Sequence, residues 1–417
     1  MNVALWLIWS ERKSFIKNST MIKLATHNVC TGCGACAFKC PQQCISMKED
    51  SIGQIYPVVD NTRCIECYSC EKVCPILNEP VSYKSEKAYA AWSNDEEERR
   101  TSASGGIAIE MYKYAVSSGW FAVGAVQNKD FSVSHKMTSS LEELAAFKNS
   151  KYVFSDAYAA FSEIKVALKD GKKVLFIGLP CQVAALRKLL RDTENLLLVE
   201  VVCHGTTPFS YLKQHIDMLS KKYGKRAARM SFRDPYTYTY TFTFTLYDDN
   251  GKLFYAKRTK DGDTYQFGYH LALSYRENCY HCRFAKLERN ADITIADYHG
   301  LGLLAPCSFN ARKVSLILEN TQKGHAFVES VINAGRIYAG LRPLEEPFKG
   351  EPQLKHPSFK SKYRLMFERR IAKKKGNFEK AIAKPYRKYM CKMLFINVMT
   401  YPRKVAREIK KIIFDKI

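Results

Sequence analysis

Eight of the fifteen cysteines fall into two copies of one spacing, and this repeat constrains the fold more than any other feature of the chain. The pattern C-x2-C-x2-C-x3-C-P begins at Cys30 and begins again at Cys64. Its eight cysteines are Cys30, Cys33, Cys36, Cys40, Cys64, Cys67, Cys70 and Cys74. Thiols this dense, at a spacing that suits metal ligation, indicate a reducing compartment in which they stay available for iron. We therefore expect a cytoplasmic protein.

The same run is the signature of bacterial ferredoxins that carry two [4Fe–4S] clusters. Three thiolates at two-residue intervals wrap one loop around a cubane, while the fourth, before the proline, turns toward the other cluster. We predict one cluster on Cys30, Cys33, Cys36 and Cys74, and a second on Cys64, Cys67, Cys70 and Cys40. A zinc site or a disulfide framework fits less well, because zinc ligands usually come as two separated pairs. Cys44 lies outside the spacing, and we interpret it as a small buried apolar residue.

The length of 417 residues allows two or three domains. We predict a multidomain α+β and α/β chain, in which a two-cluster ferredoxin-like domain at 25–80 precedes a mixed α/β domain at 88–345. A basic helical tail is predicted at 351–417. We expect 1–24 to be a leader or a misassigned start, since the apolar run at 3–9 is too short to cross a bilayer and Met21 offers a second start.

Positive charge is concentrated at the end of the chain. The formal net charge is +24, and residues 351–417 contain 14 Lys and 6 Arg against 4 Glu and 1 Asp, a net +15. Such a tail suits an anionic membrane surface or an acidic substrate or partner, although solvated faces of short helices are the simpler interpretation. Nucleic acid ranks last, because no nucleic-acid motif accompanies the charge. A peripheral place at the inner face of the membrane is therefore an additional expectation.

From residue 88 onward the pattern is mixed α/β. An apolar strand at 88–92 precedes a small-residue loop at 101–106 and a helical run at 107–116. A loop that opens a helix presents free backbone N–H groups and can bind an anion, although a simple turn is the alternative. Alternating Thr and aromatic residues at 236–246, and residues 252–259 after an Asn-Gly turn, predict an inserted β-hairpin.

Four later cysteines form a candidate third metal site. Apolar strands at 173–177 and 196–202, with a helix between them at 182–190, predict a parallel βαβ unit. Cys181 and Cys203 follow the two strands, at the sheet edge where α/β folds bind ligands. A helix N-terminus at Cys181 is expected to lower its thiol pKa. Cys279 and Cys282 supply a second pair, and the alternative is that all four are ordinary structural cysteines.

The order of several segments resembles the coenzyme F420 hydrogenase/dehydrogenase beta-subunit family, here with a ferredoxin domain in front. The matching segments are 102–106 (SASGG), 150–153 (SKYV), 174–184 (VLFIGLPCQVA), 202–205 (VCHG), 231–234 (SFRD), 279–285 (CYHCRFA) and 292–298 (DITIADY). Many family members have glycine where this chain has Asn149, and Trp where it has His299. The resemblance implies a flavin, usually FAD, and a further [4Fe–4S] cluster.

Site residues carry over from the resemblance by position. It implies that Cys181, Cys203, Cys279 and Cys282 bind the third cluster, and that Ser102, Ser104, Gly105, Gly106 and Lys151 contact the flavin. The family includes proteins that act on coenzyme F420, a plant enzyme that reduces hydroxymethyl chlorophyll, and members encoded among polysaccharide-biosynthesis genes.

The interpretation that we favour is a flavin- and iron–sulfur-dependent oxidoreductase. It would convert between one-electron carriers of ferredoxin type and a two-electron substrate, F420-like or a polysaccharide-pathway metabolite. The alternative is an electron-transfer subunit without catalysis, and a weaker one is a cluster-bearing scaffold at the membrane. His204, His299 and Asp297 are candidate acids or bases by location, although a structural role is the simpler interpretation of each. The sequence has no G-x-G-x-x-G, P-loop or G-x-S-x-G motif.

Overall fold

The computed structural model describes residues 22–190, 192–237 and 241–414, without the side chains of residue 397 and residues 401–414. The apolar run at 3–9 and Met21 therefore lie outside the described residues. Within them the chain has a small N-terminal module, a large mixed sheet with helices on both faces, and a second layer that includes the C-terminal helices. The predicted multidomain mixed α/β class is confirmed at this level.

The N-terminal module is a two-stranded hairpin with two short helices. Its elements are α1 (Ala35–Lys39), β1 (Ile45–Glu49), β2 (Ile55–Val59) and α2 (Ser69–Lys72). Each helix ends a cysteine loop and is preceded by a left-handed residue, Gly34 with φ 78° or Tyr68 with φ 56°. Because the buried cluster at β1 contains little beyond Ala37, Ile45 and three cysteines, bound metal must supply much of the module's stability.

A nine-stranded sheet forms the centre of the molecule. In chain order its strands are β3 (Lys87–Ser93), β4 (Phe121–Gln127), β5 (Val133–Thr138), β6 (Ser155–Asp156), β7 (Val174–Gly178), β8 (Leu196–Val201), β12 (Ile293–Asp297), β13 (Ser315–Glu319) and β14 (Ile337–Arg342). Their spatial order is β14-β3-β13-β12-β8-β7-β4-β5-β6. Strands β12, β8, β7 and β4 run parallel, as the βαβ pattern predicted. Their carboxyl ends therefore share one edge.

Helices cover both faces of this sheet. The helices around it are α3 (Glu96–Thr101), α4 (Ile107–Ser117), α5 (Tyr158–Lys169), α6 (Pro180–Leu189) and α9 (Gln322–Asn333). One face packs on apolar residues of α4 and α9. The opposite face packs on α5 and α6. Alternate residues of β7 and β8 serve the two faces, which explains why both strands are continuously apolar.

A three-stranded sheet begins the second layer. Its antiparallel strands are β9 (Arg229–Ser231), β10 (Phe244–Tyr247) and β11 (Leu253–Lys257). The predicted hairpin is therefore present but too long at its start, since Tyr236 and Thr237 lie in a bend. Asp234 accepts hydrogen bonds from both backbone N–H groups there, which holds the chain in a turn despite its alternating sequence.

The C-terminal helices complete this second layer. The remaining helices are α7 (Phe209–Tyr223), α8 (Thr264–His270), α10 (Glu345–Gly350), α11 (Lys362–Lys373) and α12 (Phe378–Phe414). Phe367 of α11 and Phe378 of α12 are fully buried in the core of the second layer. The interpretation of the tail as solvated helical faces is therefore wrong for α11 and the start of α12. Among the described residues no helix is long and apolar enough to cross a membrane.

Candidate metal centres and cofactor site

The first thiol group lies at the outer end of the N-terminal module. One cavity is lined by five cysteines, Cys40, Cys44, Cys64, Cys67 and Cys70. The fold thus brings Cys40 from the first motif to the three loop cysteines of the second. Cys44 is buried beside them, with its Sγ 3.3 Å from the Sγ of Cys40. Cys67 is exposed, so this end of the module faces solvent.

The second thiol group combines the first loop with Cys74. Burial raises the pKa of Cys33 to about 11, and the nearby thiols of Cys30 and Cys74 raise it further. Burial also raises the pKa of Cys36, as do the same neighbours. Buried thiols that repel one another as thiolates suit a cationic iron centre that neutralises them. The grouping is the one that crossed ligation requires, and the ligand assignment itself stays a prediction.

A second cavity gathers the four later cysteines. It is lined by Cys181, Cys203, Cys279 and Cys282, together with Cys33 of the N-terminal module. Measured with its open mouth, it contains about 760 Å³ of empty space. That volume is typical of a site for a small molecule or a cofactor. The fold therefore brings together all four cysteines of the candidate third site, beside a cysteine of the second thiol group.

Secondary structure explains this convergence. Cys181 stands in the first turn of α6 directly after β7, and Cys203 follows β8, so both lie at the carboxyl edge of the sheet. A 3₁₀ turn at Glu277–His281 brings the remaining pair over that edge. Gly205 permits the close approach, because a Cβ on it would stand 2.3 Å from the Tyr275 ring.

The electrostatics of this cavity correct one expectation. Burial raises the pKa of Cys181 well above its usual range, and the neighbouring thiols of Cys203 and Cys282 add to that effect. Desolvation at this position outweighs the helix N-terminus that was expected to lower the pKa. Burial likewise raises the pKa of Cys282 to about 11. In the part of the chain that is described, no three His, Cys, Asp or Glu side chains converge closely enough to bind a single metal ion.

Arg276 joins the N-terminal module to this cavity. Its guanidinium is buried and donates hydrogen bonds to the carbonyls of Thr31, at 2.7 Å, and Ile55, at 2.8 Å. It stands 4.7 Å from the ring centre of Phe154 and directly beneath Gly32. A Cβ on Gly32 would approach the guanidinium to 2.7 Å, so only glycine fits there. Nothing in the sequence pattern singled out Arg276.

The small-residue loop lies beside the sheet edge, but much of it is already hydrogen-bonded. Ser104 Oγ donates to the carbonyl of Val314 at 3.1 Å, and the Gly105 N–H donates to Ser315 Oγ at 2.9 Å. Ser102 is buried, and Gly106 caps α4 with φ 89°. The loop therefore packs on β13, and the predicted anion site is narrower than an open helix N-terminus.

Lys151 is placed differently from the expected flavin contact. Its ammonium group donates to the carbonyls of Ala146, Lys148 and Asn149 at 3.0–3.3 Å, which closes the end of a 3₁₀ helix. Burial lowers its pKa to about 8. Asn149 has φ 66°, a left-handed conformation that explains why glycine is frequent at this position. These three hydrogen bonds turn the ammonium group toward its own backbone segment and not toward the small-residue loop.

A cationic crevice that the sequence did not predict borders this loop. Arg233 donates to the carbonyl of Ala103 at 2.8 Å and pairs with Asp297, the last residue of β12, at 2.9 Å. Its Nε is buried without a hydrogen-bond partner among the described residues. Burial lowers the pKa of Lys313 to about 8, and the neighbouring charge of Arg233 contributes. The 231–234 segment of the resemblance contained this arginine, but the spacing gave it no role.

Aromatic side chains and two histidines surround the same edge. The Tyr152 ring stacks on Tyr269 at 4.5 Å, and Arg233 lies 4.0 Å from the Phe242 ring centre. His204 and His299 each place Nε2 at 3.6 Å from one carboxylate oxygen of buried Glu351. With Asp297 held by Arg233, the three candidate acids or bases all pair with charged groups.

Comparison with known proteins defines the class of the molecule. A profile of the 4Fe–4S dicluster domain matches residues 29–77. A profile of the C terminus of the beta subunit of coenzyme F420 hydrogenase/dehydrogenase matches residues 171–343. The chain therefore belongs to the coenzyme F420 hydrogenase/dehydrogenase beta-subunit family and carries an N-terminal 4Fe–4S dicluster domain. The resemblance stated from the sequence is confirmed, and the protein is an iron–sulfur electron-transfer protein.

Individual relatives match different parts of the chain. The F subunit of the F(420)H(2) dehydrogenase of Methanosarcina mazei is 24% identical over 279 residues, which are 61% of this chain and 72% of that protein. A ferredoxin-like protein in the nif region of Rhizobium leguminosarum bv. trifolii is 42% identical over 55 residues, 12% of this chain and 78% of that protein. A chain of the F420-reducing [NiFe] hydrogenase complex of Methanosarcina barkeri, 19% identical, gives a TM-score of 0.42 over 72% of this chain and 91% of that one.

Proposed function

We propose that this protein is a flavin- and iron–sulfur-dependent oxidoreductase. It converts between a one-electron carrier of ferredoxin type and a two-electron organic substrate, an F420-like molecule or a polysaccharide-pathway metabolite. When bound, a flavin exchanges electrons in pairs, whereas an iron–sulfur cubane passes one at a time. The chain itself supplies the thiols, the charges and the packing that hold such groups at fixed separations.

One observation carries this proposal: a single cavity joins the four later cysteines to Cys33 of the dicluster module. Cys181, Cys203, Cys279 and Cys282 are proposed to hold a third [4Fe–4S] cluster there. Their donor chemistry fits, because these are thiols in an enclosed space whose repulsion an iron cluster would relieve. The separation of their side chains is too wide for a single ion, as a polynuclear centre requires.

The flavin, proposed to be FAD, would lie in the cationic crevice. Ser102, Ser104, Gly105 and Gly106 form its floor, and Arg233 and Lys313 bring positive charge suited to phosphate groups. Tyr152 and Phe242 offer ring faces against which an isoalloxazine could stack. Lys151 acts indirectly in this proposal, since its ammonium group holds the backbone beside Tyr152.

The second candidate is an electron-transfer subunit that relays electrons to a partner enzyme. Three adjacent thiol groups, from exposed Cys67 to the sheet edge, would suffice for that role. The cationic crevice favours the oxidoreductase, because a relay has no need of a buried arginine at the sheet edge whose Nε has no partner among the described residues.

Anaerobic purification followed by flavin and iron analysis tests the proposal. We expect stoichiometric flavin that is bleached by reduced ferredoxin and reoxidised by a small organic acceptor. Cys203→Ser should lower iron by about four atoms per chain and slow bleaching at least tenfold. Cys307→Ser is the matched control, because Cys307 is half-buried and lines neither cavity. A flavin-free protein with intact clusters would favour the relay.

The proposal also includes a place of action. We propose that the protein works in the cytoplasm with a ferredoxin-like partner, and that its basic tail contacts an anionic surface, the inner face of the membrane or an acidic substrate. The net +15 of residues 351–417 supports the tail's role, since cations gather anionic surfaces within a Debye length.

A further inference from the structure

The long helix α12 changes character along its length. Its first turns are anchored, since Phe378, Ala381 and Ile382 are buried in the core of the second layer. Beyond residue 390 the helix carries large apolar side chains in solvent instead. Leu394, Phe395, Val398 and Met399 are 62–67% exposed. Contiguous exposed apolar side chains of this size indicate a contact surface.

These four side chains form two adjacent rows. Leu394 and Val398 are four residues apart, as are Phe395 and Met399, so each pair stands one above the other on the helix surface. Met390 and Met393, on another side of the helix, are half-buried. The apolar rows therefore point away from the side that still touches neighbouring residues.

Exposed cations precede the rows on the same side of α12. Lys384, Lys388 and Lys392 recur every four residues, and Arg387 lies beside them, all exposed. At 1.5 Å per residue, the cations and the apolar rows together extend about 22 Å along the helix. A run of cations that leads into Leu, Phe, Val and Met has the composition of a helix that binds the surface of an anionic bilayer.

We propose that residues 394–399 of α12 enter the headgroup region of an anionic membrane while the preceding lysines bind its lipid phosphates. The inference rests on the proposed membrane-face location and specifies its contact residues. Charge complementarity favours lipid over a second copy of the chain, because two copies would bring the same cations together. No described helix could span the bilayer, so the contact is peripheral.

Vesicle binding by the cofactor-loaded full chain tests this contact. We expect co-sedimentation with phosphatidylcholine vesicles that contain about a third phosphatidylserine, and little with phosphatidylcholine alone. Raising the salt to about 0.5 M should weaken binding without abolishing it, because apolar insertion is not screened. Leu394→Ser combined with Phe395→Ser should weaken binding at least tenfold, since two apolar side chains no longer leave water.

Val166→Ser is the matched control, because Val166 is an exposed apolar residue of α5, 59% accessible and far in sequence from α12. It should bind as the wild type does. Equal binding by the double variant would overturn the proposal in favour of charge alone. Absence of vesicle binding would overturn it too, most clearly with a dimer that the double variant abolishes. Flavin and iron contents are read separately, so a failed oxidoreductase proposal leaves the vesicle result interpretable.

Discussion

The two sets of cysteines in this protein are assembled in opposite ways. The eight in the N-terminal module lie within 45 residues, and short loops with left-handed glycines bring them together. The four at the sheet edge come from two strand ends and a distant 3₁₀ turn, about a hundred residues apart. The module has a small core of its own, whereas the sheet edge stands on packed helices and strands. Metal should therefore matter for folding in the first and for function in the second.

Removing iron should separate the two regions most strongly. Anaerobic chelation is expected to unfold residues 25–80 while the nine-stranded sheet persists, because that sheet has apolar cores on both faces. Hydrogen exchange measured by mass spectrometry would report the two regions separately. Equal protection of both regions after chelation would contradict the comparison.

Crossed ligation distinguishes the two clusters within the module. Cys74→Ser should remove about four irons per chain and the signal of the cluster on Cys30, Cys33 and Cys36, leaving the other cluster intact. The matched variant Cys40→Ser should do the reverse. Electron paramagnetic resonance of the reduced proteins checks both. Loss of the cluster on the variant's own motif in either case would mean that ligation is not crossed.

Arg276 tests how strongly the two regions are joined. Arg276→Met leaves the buried carbonyls of Thr31 and Ile55 without their donors, so we expect a loss of about 3 kcal/mol in the free energy of unfolding. Arg283→Met is the control, because the Arg283 side chain is exposed and donates only to the carbonyl of Ile76 among the described residues. Its loss should stay below about 1 kcal/mol. Urea unfolding under anaerobic conditions compares the two, and equal losses would remove Arg276 from this role.

The smallest expected effect is a pH dependence at His215, far from the thiols. Burial would lower the pKa of His215, but Asp263 and Glu379, at 3.0 and 2.7 Å, raise it to about 9. The folded pKa is thus above the unfolded value of about 6.5. Stability from this group is full below about pH 6.5 and is lost as the pH rises through about 9, on the order of 2–3 kcal/mol. The thermal midpoint should fall across that window.

His215→Gln removes the titrating group and provides the control for that window. Its thermal midpoint should be lower at neutral pH and should change less between about pH 6.5 and 9 than that of the wild type. Glu379 lies at the start of α12, so hydrogen exchange in this helix should rise with pH in the wild type. An unchanged slope in the variant would assign the pH dependence to other groups.

The sequence predicted the strands that carry the sheet-edge cysteines, because β7 and β8 are short apolar runs on either side of a helix. It missed α3, since an acidic stretch capped by Asp95 carries no apolar periodicity. It was wrong about the thiol pKa of Cys181, because burial cannot be read from a position at a helix start. The roles of Ser102, Ser104, Gly105, Gly106 and Lys151 stay predictions, as does the third cluster.

Local spacing was enough to determine the dicluster module, because its cysteine loops are short and metal geometry allows few arrangements. Tertiary structure alone decided what surrounds the sheet edge. Arg233 reaches Asp297 from the three-stranded sheet, and Arg276 reaches Thr31 across 245 residues. Such contacts depend on how layers pack, and packing leaves no periodic trace in the sequence because each partner is a single residue on a different element.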